Sequence, residues 1–244
     1  MGKVRLDKYL SQSGEHSRKE AAQLLRSGLV QVDGVVNRDA AYKVDPAQQT
    51  ITLQGQPVKN SALQYYLLHK PQGVLTAARD SRAQTVMHLV PETLSKRKVL
   101  PVGRLDKDTT GILLLTNDGE LAHRLLSPKH HVSKEYHVQV DGALTWADVS
   151  AFQEGLPLSD FTALPAKMQI LPGSPENNQA IVWLSEGKFH QIKRMFAARG
   201  RQVLRLHRAA FGPLRLPPEL SEGDFRPLLP AELEALQKAA QHNS

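Results

Sequence analysis

Four consecutive apolar residues, Ile112-Leu113-Leu114-Leu115, constrain this chain more than any other stretch. Thr116 and the turn pair Asp118-Gly119 follow closely. So short a run with no polar face fits a strand buried on both sides, and it is far below the ~20 residues that a membrane helix needs. Directly ahead lies Gly103-Arg104-Leu105-Asp106-Lys107-Asp108-Thr109-Thr110-Gly111, a loop dense in Gly, Asp and Thr. A polar loop feeding a buried strand can present a carboxylate at a rigid, partly desolvated spot. Asp106 is that carboxylate, with Arg104 and Lys107 as neighbouring cations. The same residues also fit a plain turn in which Asp106 and Asp108 bond backbone amides. On the residues alone the two readings weigh the same.

From residue 65 onward, strand and helix patterns mix without regular alternation. Strands are expected at 65–70, 112–116, 135–140, 181–184 and 203–206. Helices are expected at 120–126, 146–155, 189–199 and 231–240, with Gly200 closing the third. This order fits an α+β domain with a mixed or antiparallel sheet better than a doubly wound one. Pro172-Gly173-Ser174-Pro175 reads as an exposed turn.

Several chemistries lose support. The chain has no Cys, which excludes disulfides, a thiolate nucleophile and iron–sulfur clusters. There is no G-x-x-x-x-G-K-[ST] and no G-x-G-x-x-G. The ten His show no metal-ligand spacing, and Ser127, Ser133 and Ser185 lack a nucleophile-elbow context. No metal and no cofactor are expected. The opening MGKVRLDKYL carries no apolar signal core, so a cytoplasmic protein without membrane contact is expected.

The net charge of +7 suits a polyanionic partner but does not demand one. Residues 1–60 hold nine Lys and Arg against six Asp and Glu, a net +3. Val4, Leu6, Tyr9 and Leu10 sit at helical spacing, with Gly14 as a stop. Ser17 and Glu20 form a capping box for a second helix that ends at Gly28. Residues 29–32, Asp33-Gly34 and Val35-Val36 then read as a hairpin, and Ile51, Leu53 and Gly55 as a further strand and turn. Arg5, Lys8, Arg18, Lys19 and Arg26 cluster on the helices. Residues 59–64 are polar and unpatterned, a linker.

RLDKYL (5–10), SRKEAAQLL (17–25) and the Gly28-to-Gly34 turn region resemble the alpha-L RNA-binding module of the ribosomal small-subunit protein S4. That resemblance implies docking on structured RNA, with Arg5, Lys8, Arg18 and Lys19 as phosphate contacts. The remainder resembles the pseudouridine synthases of the ribosomal small-subunit type, the RsuA family. The motifs that carry it are LLHKPQG (67–73), GRLDKDTTGILLLTNDG (103–119), SPKHHVSKEYHV (127–138), LSEGKFHQIKRMFAARG (184–200) and LRLHRAAFG (204–212). The implied organisation is an RNA-binding module over 1–60 and a catalytic domain over 65–244.

The resemblance implies an isomerase that turns a uridine of ribosomal RNA into pseudouridine, with 16S RNA as the expected substrate, naked or in a partly assembled subunit. The best-known members act there on uridine 516. A 23S or tRNA target is the alternative, and a non-catalytic assembly factor a weaker one. Asp106 matches the catalytic aspartate, either adding to C1′ or promoting a glycal route. Tyr136 matches the aromatic that stacks on the uracil, and Leu206 the apolar residue beneath it. Lys193 or its neighbour Arg194 matches the cation paired with the aspartate, with Lys193 favoured. Arg104, Lys107, Arg124, Lys129, His130, Lys188 and Arg208 are expected to hold phosphates around the mouth. A monomer is expected.

Overall fold

The structure, a computed structural model, describes residues 3–13, 16–46, 48–58, 63–127, 130, 132–172 and 178–241. Most of the expected linker, the core of the 172–175 turn, Gly14 and Lys129 lie outside the described residues. The chain forms two compact units, Met1–Leu63 with Glu92–Val99, and Gln64–Pro91 with Leu100–Ser244.

The first unit contains β1 (Val4–Arg5), α1 (Leu6–Gln12), α2 (Arg18–Arg26), β2 (Val30–Val32), β3 (Val35–Val36), β4 (Lys43–Val44), β5 (Ile51–Leu53), β6 (Gln56–Pro57) and α3 (Glu92–Lys96). The capping box is present: Glu20 N–H donates to Ser17 Oγ at 3.2 Å, and Ser17 N–H donates to Glu20 Oε2 at 2.6 Å. The β2–β3 turn places Asp33 at φ 53° and Gly34 at φ 82°, two left-handed residues that match the twist of a tight hairpin. Val4 belongs to β1, paired with Val44, rather than to the first helix. Leu6, Leu10, Ala21, Leu25, Val30 and Ile51 pack into a small core.

The second unit contains β7 (Tyr65–Lys70), β8 (Leu100–Pro101), β9 (Thr110–Thr116), α4 (Gly119–Leu126), β10 (Lys134–Val140), α5 (Trp146–Glu154), β11 (Lys167–Ile170), β12 (Gln179–Leu184), α6 (Gln191–Ala198), β13 (Val203–Phe211), β14 (Leu214–Arg215), β15 (Phe225–Pro227) and α7 (Pro230–Ala239). The sheet runs β11-β12-β10-β13-β9-β7-β15, with β14 on β13 and β8 on β9. Every neighbouring pair is antiparallel except β13 and β9, so the sheet is mixed and the domain α+β. Ile112 to Leu115 are wholly buried in β9, as an apolar run with no polar face requires.

One apolar cluster packs α5 and α6 on the β10–β12–β13 part of the sheet, with the Phe152 and Phe196 rings 4.8 Å apart. A second packs α4 and α7 on β7 and β9. Truncating a buried Phe to Ala in such a cluster costs about 3–5 kcal/mol. Gly111 joins the two halves. Its φ is 115°, and a Cβ there would sit 2.2 Å from the Arg208 carbonyl oxygen, so no other residue lets β9 and β13 close. The expected helix at 189–199 begins later, because His190 has a left-handed φ of 49° and α6 starts at Gln191. The expected strand at 203–206 continues to Phe211. Among the described residues no helix is long and apolar enough to cross a membrane.

Candidate active site

The loop that carries Asp106 is pinned from beneath. Thr76 Oγ1 donates to the Leu105 carbonyl at 2.8 Å and accepts from Leu105 N–H at 3.1 Å. Gly73 N–H donates to the Lys107 carbonyl at 2.8 Å, and Thr109 N–H to the Asp106 carbonyl at 3.1 Å. Lys70, fully buried at the end of β7, donates to the carbonyls of Thr109, Pro71 and Lys107 at 2.8, 3.0 and 3.3 Å. Burial pushes its ammonium down to about 8, against the pull of Asp108 and Asp106. A carboxylate on a loop tied by six hydrogen bonds to its backbone has little freedom to wander.

Asp106 meets its cation from the other side of the cleft. Lys193, in the first turn of α6, lies 3.2 Å from Asp106 Oδ2 and donates to Asp108 Oδ1 at 2.5 Å. Burial works against the Lys193 charge, but hydrogen bonds to Asp108 and Asp106 outweigh it and hold the ammonium above its ordinary range. Lys193 in turn draws the Asp108 carboxyl below the usual carboxylate range. His190 Nε2 stands 3.5 Å from Asp106 Oδ1. The left-handed backbone at His190 turns its imidazole toward the loop before α6 begins.

Tyr136 on β10, Leu206 on β13, Leu184 on β12 and Ile192 on α6 wall the cleft above Asp106, and Arg104, Lys188 and Gln191 complete its rim. Its empty volume of about 440 Å³ includes the solvent-filled mouth, so it is an open cleft and not an enclosed cavity. Tyr136 is 9% exposed and Leu206 7%, each part of the core that also forms the wall. The arrangement sets one carboxylate against flat apolar surfaces inside a cationic rim. Such a site suits a planar, uncharged ring attached to a polyanionic backbone. Among the described residues no group of three or more His, Asp or Glu is placed to hold a metal ion.

The structure thus brings Asp106, Tyr136, Lys193, Leu206 and Arg104 into one cleft, and it sends Arg194 elsewhere. Residues 193 and 194 point about 100° apart on a helix. Arg194 donates to Ser159 Oγ at 3.1 Å, pairs with Asp160 and lies over the Phe161 ring. Arg208 corrects the expectation of a phosphate contact. It is 3% exposed and donates from Nε and a terminal nitrogen to the Ile112 carbonyl at 2.9 and 2.8 Å, bonding the β9–β13 seam. Lys107 and Lys188 are exposed, whereas Arg124 and His130 are half-buried.

In the first unit Arg5, Arg18 and Lys19 are exposed and Lys8 is half-buried. Arg5 and Arg18 share one carboxylate. Arg5 pairs with Asp7 at 2.9 Å and Arg18 with the same carboxylate at 3.4 Å. The Arg5 hydrogen bond holds the Asp7 carboxyl below its usual range. The sequence reading missed His190, Lys70 and Thr76 as parts of the site. Lys70 and His190 stood inside quoted motifs, but neither motif shows which way its side chain turns.

Comparison with known proteins bears on the family and the fold. The profile described as RNA pseudouridylate synthase matches residues 64–198, and that of the S4 domain matches residues 4–51. The chain is 42% identical to an uncharacterized RNA pseudouridine synthase, YtzG, of Bacillus subtilis, over 96% of this chain and 99% of that one. It is 36% identical to ribosomal small subunit pseudouridine synthase A of Yersinia pestis, over 96% and 98%. A crystal structure of a pseudouridylate synthase superposes with a TM-score of 0.69 at 33% identity, over 96% of this chain and 99% of that one. With residues 64–198 matching the synthase profile and relatives above 30% identity along nearly its whole length, this chain belongs to the RNA pseudouridylate synthase family.

Proposed function

We propose that this enzyme isomerises one uridine of small-subunit ribosomal RNA to pseudouridine, with Asp106 as the catalytic carboxylate. The observation that carries the proposal is the Asp106–Lys193 pair at 3.2 Å, set in a cleft walled by Tyr136 and Leu206. Relatives named for the small ribosomal subunit, 35–36% identical over nearly the whole chain, support that target over 23S RNA or tRNA. Residues 1–60, with Arg5, Lys8, Arg18 and Lys19, dock the RNA, and residues 65–244 do the chemistry. We assign the enzyme to the cytoplasm, working as a monomer.

The target base leaves its stack, at a cost of a few kcal/mol that contacts in the cleft offset. Tyr136 stacks on the uracil, and Leu206 packs against it. One Asp106 oxygen either adds to C1′ as N1 leaves, or takes the 2′ proton so that the uracil departs from a glycal. The ring then turns and C5 bonds to C1′ as the Asp106 oxygen leaves C1′, or as Asp106 returns the proton to C2′ of the glycal. Tyr136 takes the C5 proton as it hands its own hydroxyl proton to solvent, and N1 gains a proton from solvent, so the reaction is a net isomerisation. Lys193 aims the carboxylate throughout, and Arg104 at the rim meets the strand's phosphates, while Arg194 would first have to leave Asp160 to reach one.

The test is pseudouridine mapping after incubation with 16S and 23S transcripts and with precursor subunits. Product is expected on 16S RNA alone, and a loss of more than about a thousandfold in Asp106→Asn. Product on 23S RNA or tRNA instead would move the target. Full activity in Asp106→Asn would remove the role of Asp106.

A further inference from the structure

Phe189 presents its ring to solvent with 76% of the residue exposed, at the edge of the Asp106 cleft. One face of the ring is already covered: it stacks on His190 with centroids 3.8 Å apart and planes at 19°. His190 Nε2 in turn lies 3.5 Å from Asp106 Oδ1. The two rings therefore form a step that leads outward from the carboxylate to open solvent. Lys188, the residue before Phe189, lines the cleft and holds its ammonium 4.0 Å from the Phe161 ring centroid, and Arg104 lines the same cleft. A single exposed Phe is ordinary by itself; what sets Phe189 apart is its stack on His190, which reaches Asp106. Its position in the chain between Lys188 and His190, both of which line a pocket for one base, suits a second base.

We propose that Phe189, braced by His190, is a stacking platform for the nucleotide adjacent to the target uridine, and so a positioning residue for the RNA strand. This rests on the reading that the Asp106 cleft takes the target uridine. When that base leaves the stack, its neighbour loses a stacking partner. The outer face of Phe189 replaces that partner, while Lys188 and Arg104 reach the flanking phosphates. A π-face accepts any base, so the platform holds the strand without reading its sequence.

The experiment measures kcat and KM on a naked 16S transcript for wild type, Phe189→Leu, Phe189→Trp and Asp106→Asn, with circular dichroism as a check on folding. Because Phe189 is exposed, all variants are expected to fold. Phe189→Leu should raise KM about tenfold and leave kcat within about twofold, while Phe189→Trp keeps KM at or below the wild-type value. Three results would overturn the proposal: an unchanged KM in Phe189→Leu, an equal rise in Phe189→Trp, or a loss confined to kcat, which would make Phe189 only a prop for His190. A defect seen on precursor subunits but not on naked RNA would assign the ring to a protein contact and also overturn it. Asp106→Asn separates the two readings. If it keeps full turnover, the cleft assignment fails; if it is inactive while Phe189→Leu behaves as wild type, only the platform fails.

Discussion

Arg5 and Arg18 approach Asp7 from solvent, with side chains 46% and 60% exposed, whereas Lys70 has no exposure and Lys134 only 6%. The first pair belongs to the helical unit and the second to the sheet unit. Lys134 repeats the Lys70 device at another loop, donating to the carbonyls of Val132 and Ser185 at 3.0 and 3.4 Å. Burial drives both lysines down to about 8. Asp7 is itself 7% exposed and takes two hydrogen bonds from Arg5, so its arginines are held more firmly than a fully exposed pair of about 0–1 kcal/mol, and a phosphate has to compete with that carboxylate for them. A buried ammonium costs several kcal/mol to desolvate. It is retained where carbonyl oxygens of a loop need a donor, and the return is a fixed loop. The same residue types thus serve docking in one unit and rigidity in the other.

The comparison breaks most visibly at the cleft. Lys193→Met should cut kcat by about a hundredfold with RNA affinity nearly unchanged, and Arg194→Ala by no more than about threefold, in single-turnover assays. Equal losses would mean that both cations serve the reaction. Next in size is Lys70→Met, which strands three carbonyls. A stability loss of about 2–4 kcal/mol in urea unfolding, with roughly a tenfold fall in kcat, is expected. A variant with wild-type stability and turnover would show that Thr76 and Gly73 hold the loop alone.

A pH series sharpens the contrast further. The folded-state values near 8 lie below the 10.5 of a free lysine, so between those limits the unfolded chain binds more protons. Stability should therefore rise as pH climbs from 8 toward 10, by roughly 1–2 kcal/mol per lysine, and Lys134→Met should remove its share. A flat profile in urea unfolding would argue against buried ammonium groups. The smallest effect is expected at the surface. Replacing Arg5, Lys8, Arg18 and Lys19 together by Ala should weaken RNA binding about fivefold. It should lower the slope of log Kd against log salt by about 2, short of the roughly 3 expected for four independent contacts, because Asp7 already engages two of them. A change of 3 or more would mean that RNA displaces Asp7 completely.

Much of this architecture was legible before any coordinates. Local rules govern a capping box, an Asp-Gly hairpin turn and an apolar run, and Ser17–Glu20, Asp33-Gly34 and Ile112–Leu115 each behave as those rules require. The loop at 103–111 stood out for the same reason. Short strands were not legible: β11 and β15 have four and three residues and gain their stability from the neighbours they pair with. His190 was read into a helix because the sequence of KFHQIK carries no mark of a left-handed residue.

By itself the sequence determined the order of the longer helices and strands, the position of the carboxylate loop before a buried strand, and, through its motifs, the family. The tertiary structure alone decided which cation meets Asp106, since a helix separates Lys193 and Arg194 by direction and not by residue type. It also decided that Arg208 is a buried seam while Phe189 faces water. Those outcomes depend on how α6, β9 and β13 pack across the sheet, contacts between residues some 80 to 100 positions apart that no local pattern encodes.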